Sequence, residues 1–413
     1  MKKNRIGIDI TDLSPNFYGG LDTYCLNLIK GFTKLNYKYK LVIFLNRKYF
    51  EKRKNDLFFN KNISYKLYEE NFINLILKKL YNRIFFPFSF LFFKLKYLFD
   101  FFLRNFTQNN FKNLVEKNCD ILICPAVLLK HYNLKVPTLT NLHDIQHEHF
   151  KSFFSRSELL RRDIQYYNTA KYSTRMIASG PFMKRDFLRK FPFLKKKITL
   201  IYEGVDLNKF RKKINFDRID NFFLNKKIFK KKFFFLPAQL WKHKNHITVI
   251  KGFKKFNKKN KFKDFKLVFC GHKFKETEYI FDYLNNKKLK NIIFLNVIES
   301  KKLIWCMQNC ISVICPALYE SSSLVNLEAI AAKSTIISSD IPTNLEKAKI
   351  FKVNTFKKLD SSNLSMVFEK VVKSKKLRMS QIKHNTSQLN KFSWEKTSMN
   401  YYQEAIKILN VKK

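Results

Sequence analysis

The sequence predicts an α/β protein built from two doubly wound domains that face each other across a cleft. Three observations predict it. Short apolar runs alternate with longer helix-compatible stretches along the 413 residues, and that alternation marks the α/β class. Most runs are continuously apolar, as strands buried on both faces of a parallel sheet are. The length exceeds one typical core and fits two domains of about 200 residues each.

The strand series is legible in order. In the first half the runs are "RIGIDI" (5–10), "KLVIFL" (40–45), "DILICPA" (120–126), "VPTLTNLHD" (136–144), "RMIASG" (175–180) and "ITLIYEGV" (198–205). In the second half they are "FFFLPA" (233–238), "KLVFCG" (266–271), "NIIFL" (291–295), "ISVICPA" (311–317) and "TIISSD" (335–340). The charged stretch 208–232 has no strong period and separates the two series. In doubly wound sheets ligands bind beyond the carboxyl ends of the strands, so the loops after the strands carry the functional signal.

Composition narrows the classes. The formal net charge is +49. Such a charge fits a polyanionic partner, nucleic acid or an anionic membrane surface. It also follows from a sequence rich in Lys, Asn, Ile and Phe, whose codons are AT-rich, and the lysines run from end to end. The seven cysteines form no CxxC pair and sit mostly in apolar runs, which predicts free thiols in a reducing compartment. The start "MKKNRIGIDITD" lacks a long apolar core and reads as a first strand, not a signal peptide. The longest apolar run, "IFFPFSFLFF" (84–93), contains Pro87 and is too short to span a bilayer. The surrounding 71–106 region mixes Phe and Leu with Lys and Arg, as an interfacial amphipathic helix or a core helix pair would.

Several loops bear candidate residues. After the first strand, Gly19-Gly20 precede a helix with Leu21, Tyr24, Leu28 and Phe32 on one stripe. Glycines there admit a close ligand, and a helix start offers amides to an anion. The absence of GxGxxG after that strand argues against a dinucleotide-dependent dehydrogenase. His143 ends a strand, where it can meet a substrate hydroxyl. His143, His147 and His149 lack the HExxH arrangement and a nearby cysteine, so no metal is expected. In "PAQLWKHKNHITVIKGF" (237–253), Asn245 suits a helix N-cap, and Lys244 beside it suits a phosphate.

The richest stretch is "YESSSLVNLEAIA" (319–331). Glu328 falls three residues after none of Ser321, Ser322 or Ser323, so no capping box explains it. It lies in a largely apolar helix, where a carboxylate needs a partner. Glu320 stands just before that helix. Both are placed to accept hydroxyl donors, such as those of a sugar and a ribose.

With these pieces in order, the chain resembles glycosyltransferase family 4, the retaining, GT-B group 1 transferases. The signature Glu-x7-Glu stands here as Glu320 to Glu328, continued by "EAIAAKSTIISSDIPTNLE" through Glu346. "GGLDTY", "LHD", "YEGVD" (202–206), "PAQLWKHKNH" and "FSWEKT" (392–397) with Tyr401 resemble further family segments. The resemblance implies a GT-B fold with domains 1–210 and 228–385 and a C-terminal segment 386–413 that crosses back to the first. It implies that Glu328 binds ribose hydroxyls, that Glu320 contacts the donor sugar near the reacting carbon, and that His143 meets a sugar hydroxyl. Lys244 and the amides near Ser323 and Leu324 would hold the diphosphate, with Gly20, beside Gly19, letting backbone approach it.

Two departures stand out. Ser321-Ser322-Ser323 replaces the usual phenylalanine and glycine, and Gln239 lies closest to where the family carries its phosphate-binding arginine. No DxD triplet occurs. The implied function is a hexose transfer, with mannose one candidate hexose, from a nucleoside-diphosphate sugar to a lipid-linked or saccharide acceptor in surface polysaccharide or lipopolysaccharide synthesis. The donor would be GDP-mannose or a UDP-hexose, with no cofactor. The place would be cytoplasmic, at the inner face of the cell membrane. Other readings of the residues are a basic nucleic-acid- or membrane-binding protein and a nucleotide-sugar-binding relative without catalysis; stacking aromatics on one basic face would favour the first, but the aromatics sit mostly in apolar runs.

Overall fold

A computed structural model describes residues 4–15, 20–36, 39–59, 61–72, 74, 76–77, 95–126, 128–214, 219–273, 277–287 and 289–411. Gly19 and the apolar run 84–93 therefore lie outside the described residues. The chain divides into two compact units, Met1–Glu203 with Trp394–Lys413, and Gly204–Ser393.

The first unit holds a seven-stranded sheet in the order β3-β2-β1-β4-β5-β6-β7. Its strands are β1 (Asn4–Asp9), β2 (Tyr39–Asn46), β3 (Ile63–Tyr68), β4 (Ile121–Cys124), β5 (Thr138–Asn141), β6 (Arg175–Ala178) and β7 (Ile198–Leu200). Every pairing is parallel. The order runs outward from β1 on both sides, which is the doubly wound arrangement the apolar runs predicted. Ile6, Ile8, Ile121 and Ile123 are wholly buried, because helices cover both faces of the central strands.

Helix Gly20–Thr33 buries Tyr24, Cys25, Leu28, Ile29, Gly31 and Phe32, a stripe at three- and four-residue spacing. It packs against the last helix, Trp394–Val411. Gly31 permits the approach. A Cβ there would lie 2.5 Å from the Trp394 carbonyl oxygen and would collide with Ser398 Oγ. Gly31→Ala is expected to cost about 1–3 kcal/mol through overpacking and to lower the melting temperature by several degrees. Gly20→Ala is the control, since a Cβ at Gly20 meets nothing within 4 Å.

The second unit holds a six-stranded parallel sheet in the order β10-β9-β8-β11-β12-β13. Its strands are β8 (Phe233–Pro237), β9 (Lys266–Cys270), β10 (Ile292–Phe294), β11 (Ser312–Cys315), β12 (Ile336–Ser339) and β13 (Asn354–Phe356). One core face centres on Trp305, stacked on Phe223 and Phe233. The other centres on Phe234, Phe253, Phe256 and Phe368. All seven cysteines are free and buried. Burial pushes the Cys119 and Cys270 thiols up to about 12, so they are inert packing groups rather than nucleophiles.

Among the described residues no helix is long and apolar enough to cross a membrane. Within the 71–106 region, helix Leu95–Thr107 packs Phe101 and Leu103 inward and exposes Leu98, Phe99, Phe102 and Phe106.

Candidate functional site

The loops after β8, β9, β11 and β12 meet at the carboxyl edge of the second sheet. After β8 the chain makes one turn, Lys242–Lys244, and enters helix His246–Asn257. Asn245 takes the left-handed conformation with φ 57°. Its side chain does not cap the helix, as its position in the sequence suggested. Instead Nδ2 donates to the Pro316 carbonyl at 3.1 Å, tying this loop to the one after β11. Leu318 N donates to His243 O at 2.7 Å and makes a second tie.

Between these ties Lys244 Nζ meets Glu320 Oε1 at 2.5 Å. The backbone of Glu320 is itself fixed, its carbonyl accepting from Thr343 Oγ1 at 2.6 Å. Gln239 is committed elsewhere: its Oε1 accepts from His272 N at 2.7 Å across the β8 and β9 loops. Gly271 makes that crossing possible. At φ 159° it lies against the Ala238 carbonyl, which any Cβ would strike.

Helix Leu324–Ala331 follows directly. Ser323, at φ 53° and ψ 63°, precedes it in the left-handed region, and no side chain caps the helix start. The serine run thus does not cap as serines often do, because a left-handed residue aims its hydroxyl away from the first amides. Ser323 O accepts instead from Asn326 N and from Lys347 Nζ, each at 3.0 Å. This conformation explains why glycine is usual here in the resembling family. Ser323→Gly is expected to raise the melting temperature slightly and Ser323→Val to lower it, a β-branched residue being strained there by about 1–3 kcal/mol. Equal melting temperatures for the three would refute the strain.

One turn into the helix stands Glu328. Burial raises its carboxyl to about 7, opposed by the nearby Lys209 ammonium. Lys209 comes from helix Leu207–Arg211, whose start is capped by Asp206 Oδ1 accepting from Lys209 N at 3.0 Å. The "VDLNK" stretch therefore supports the second glutamate of the pair.

In the first unit His143 closes β5 at φ 61°. Its amide donates to Asn141 Oδ1 at 2.9 Å, and its Nε2 donates to the Pro125 carbonyl at 2.7 Å. Nδ1 lies 4.0 Å from Glu203 Oε1, and the edge of Tyr24 packs on the ring with centroids 4.8 Å apart. Tyr24 comes from the helix that Gly20 begins, so the first glycine loop and the His-Asp turn share one edge of this sheet. Tyr24 Oη lies 2.8 Å from Tyr401 Oη, and burial pushes both phenols up.

The three histidines separate. His149 Nε2 lies 2.7 Å from Asp186 Oδ2, and the buried His147 packs edge-on against Tyr166, its pKa lowered to about 4 by burial. Among the described residues no group of three or more His, Cys, Asp or Glu is placed to hold a metal ion.

Gln239, Lys244, Glu320, Ser323, Leu324 and Glu328 thus gather at one edge of the second unit, and Gly20 and His143 at the corresponding edge of the first. Sequence reasoning missed Lys209, Lys347, Thr343 and Glu203. Glu203 and Lys209 flank the "GVD" turn, and that adjacency was the available signal. Lys347 and Thr343 belong to helix Pro342–Ala348, and only the fold brings them to the Glu320 loop.

The profile of the glycosyl transferases group 1 family matches residues 217–388. That of glycosyltransferase family 4 matches residues 18–209. No curated protein matches by sequence. Among solved structures, a glycosyltransferase from Rickettsia africae is 14% identical, with 99% of each chain covered and a TM-score of 0.68. HepE from Anabaena, solved with UDP and glucose, is 13% identical over 97% of this chain and 99% of its own, with a TM-score of 0.71. Sucrose-phosphate synthase from Thermosynechococcus elongatus is 12% identical over 99% of this chain and 100% of its own, with a TM-score of 0.70. Identities this low carry the fold alone, and the two profiles carry the family: the chain belongs to the family 4, group 1 glycosyltransferases and has their GT-B fold.

Proposed function

We propose that the protein is a retaining hexosyltransferase that uses a nucleoside-diphosphate sugar. The observation that carries this reading is the edge of the second unit, where Lys244, Glu320, the start of helix Leu324–Ala331 and Glu328 stand together. Glu328 accepts the ribose hydroxyls. Lys244 and the helix amides receive the diphosphate, as a cation and a helix N-terminus favour an anion. Glu320 accepts a hydroxyl of the sugar.

In the transfer the bond between sugar C1 and the diphosphate oxygen breaks, and the acceptor oxygen bonds to C1 on the same face. The acceptor proton passes to the leaving phosphate oxygen, and the nucleoside diphosphate departs with the bonding pair. Charge grows on the leaving group, so fixed positive groups there lower the barrier.

The donor is GDP-mannose or a UDP-hexose. The UDP and UDP-glucose complexes of HepE support the uridine arm. The "PAQLWKHKNH" stretch, which resembles transferases often assigned GDP-mannose, supports the guanosine arm. The test is a thermal-shift panel of GDP, UDP, ADP and their sugar conjugates without metal. A rise with one base names the donor class. No rise with any of them sinks the reading.

The acceptor in this proposal is a saccharide or a lipid-linked sugar of surface polysaccharide or lipopolysaccharide synthesis, met at the inner face of the cell membrane. The exposed Phe99, Phe102 and Phe106 and the net charge of +49 support docking on anionic lipid. Cosedimentation with phosphatidylglycerol vesicles but not with phosphatidylcholine vesicles is the expected result; binding to neither removes the membrane from the reading.

A further inference from the structure

The ion pair between Lys244 and Glu320 stands out among the groups at the edge of the second sheet. The loops that carry it are already joined by neutral bonds, Leu318 N to His243 O at 2.7 Å and Asn245 Nδ2 to Pro316 O at 3.1 Å. Asn245 and His243 are buried, whereas the Lys244 and Glu320 side chains are 19% and 20% exposed. The pair therefore adds charge at the mouth of the site, where the backbone is already held. It also joins the one cation and the one carboxylate assigned to the two ends of the donor's sugar-phosphate bond.

We infer that this ion pair is a latch that admits nucleotide sugars in preference to bare nucleoside diphosphates. The inference rests on the proposed donor site. With no donor bound, Lys244 and Glu320 satisfy each other. A bare diphosphate offers Lys244 a new anion but leaves Glu320 unpaired beside added negative charge, and like charges within a few ångströms repel. A nucleotide sugar offers Lys244 the diphosphate and offers Glu320 hydroxyl donors at the same moment, so both halves of the broken pair are satisfied. Once the sugar has been transferred and the acceptor proton has passed from the diphosphate to solvent, the diphosphate carries more charge and the hydroxyls are gone. Glu320 then draws Lys244 back, and the product leaves.

The neighbouring charges shape the latch. Glu320, Lys347, Lys244 and Glu328 all act electrostatically on the buried Cys315 thiol at the end of β11. Lys347 Nζ donates to Ser323 O at 3.0 Å, at the start of helix Leu324–Ala331. Beside the pair thus lie one further cation, Lys347, and one further carboxylate, Glu328, and removing one carboxylate charge shifts the balance toward binding anions.

Calorimetric titration with UDP, GDP and inorganic pyrophosphate tests this on the wild type, E320Q, K244Q and the double variant. Glutamine keeps hydroxyl-bonding capacity and removes the charge. E320Q is expected to bind the matching nucleoside diphosphate about tenfold more tightly, a coupling of ordinary size, and pyrophosphate more tightly too. The gain is expected to vanish in the K244Q background, because it comes from releasing Lys244. The nucleotide sugar is expected to gain no affinity in E320Q, and steady-state product inhibition is expected to deepen. Unchanged diphosphate affinity in E320Q overturns the latch, and so does an equal gain with and without Lys244. Failure of every nucleotide to bind the wild type overturns the proposed donor site and the latch with it, and that outcome is distinct from binding without coupling. A circular-dichroism melt of each variant establishes that the titrated protein is folded, and E320S supplies a second uncharged variant for the same comparison.

Discussion

Glu328→Gln is expected to abolish most donor binding while making the protein more stable at pH 8. The two effects share one cause. Burial holds the Glu328 carboxyl at about 7 in the folded protein, above its ordinary 4.5. A folded-state value above the unfolded one means that folding favours the protonated form. That stabilisation is complete below about pH 4.5 and is lost as pH rises through 7. Above pH 7 the ionised carboxylate costs up to about 3 kcal/mol, taking 1.36 kcal/mol per unit, and partial solvent access reduces that figure. Glutamine never ionises, so the variant's melting temperature is expected to exceed the wild type's by several degrees at pH 8 and to match it near pH 4. An ionised carboxylate can accept from both ribose hydroxyls in charge-assisted bonds, whereas the protonated acid or an amide accepts more weakly and through fewer sites. Wild-type nucleotide affinity is therefore expected to fall as pH drops from 8 to 6, and the variant's low affinity to be flat across that range. A variant that is no more stable at pH 8 would show that the burial cost is not real. Retained affinity would remove Glu328 from the ribose.

Lys244→Ala is the second large effect. If Lys244 receives the leaving diphosphate, its loss is expected to lower kcat/KM by about 10²- to 10³-fold, the size seen when one fixed electrostatic contact to a developing negative charge is removed. Binding separates this role from general damage. The affinity for the nucleoside diphosphate is expected to fall, and that for the nucleoside alone to stay within a few-fold of wild type, because Glu328 and the base contacts are untouched. Lys244→Arg is expected to restore part of the loss, as charge returns without the same reach. A fall that is equal for nucleoside and diphosphate would place the damage in the fold.

The sheets were legible because their central strands are apolar almost throughout. "DILIC" and "ISVIC" admit one reading, buried on both faces, and β4 and β11 lie there. The strands that escaped were edges. β3, "ISYKLY", alternates and is only half-buried, and β13 has three residues, of which Thr355 is exposed. An edge strand need not be apolar on both faces, so periodicity alone does not distinguish it from a loop. At the site, the two glutamates were legible because a carboxylate inside an apolar helix demands an explanation. What the spacing could not reveal was conformation and distant contact. His143, Asn245 and Ser323 each have φ between 53° and 61°, and none is the glycine that would advertise it. Lys209 reaches Glu328, and Lys347 reaches Ser323, only because helices remote in sequence pack at the same edge.

The first unit is interrupted. Its sheet is complete by Glu203, yet its last helix, Trp394–Val411, follows the whole of the second unit in the chain. The groove at Gly31 and the Tyr24 hydroxyl wait for Ser398 and Tyr401 until then. During synthesis the order of events is therefore fixed. The sheet of the first unit emerges with one flank bare, and the second unit, a continuous segment, can fold entirely while that flank is open. The first unit closes only after the second unit has been made, once Trp394–Val411 has emerged. A chain truncated before Trp394 would hold a complete second unit and an unfinished first one, and the unfinished flank is where a chaperone would find apolar surface to hold.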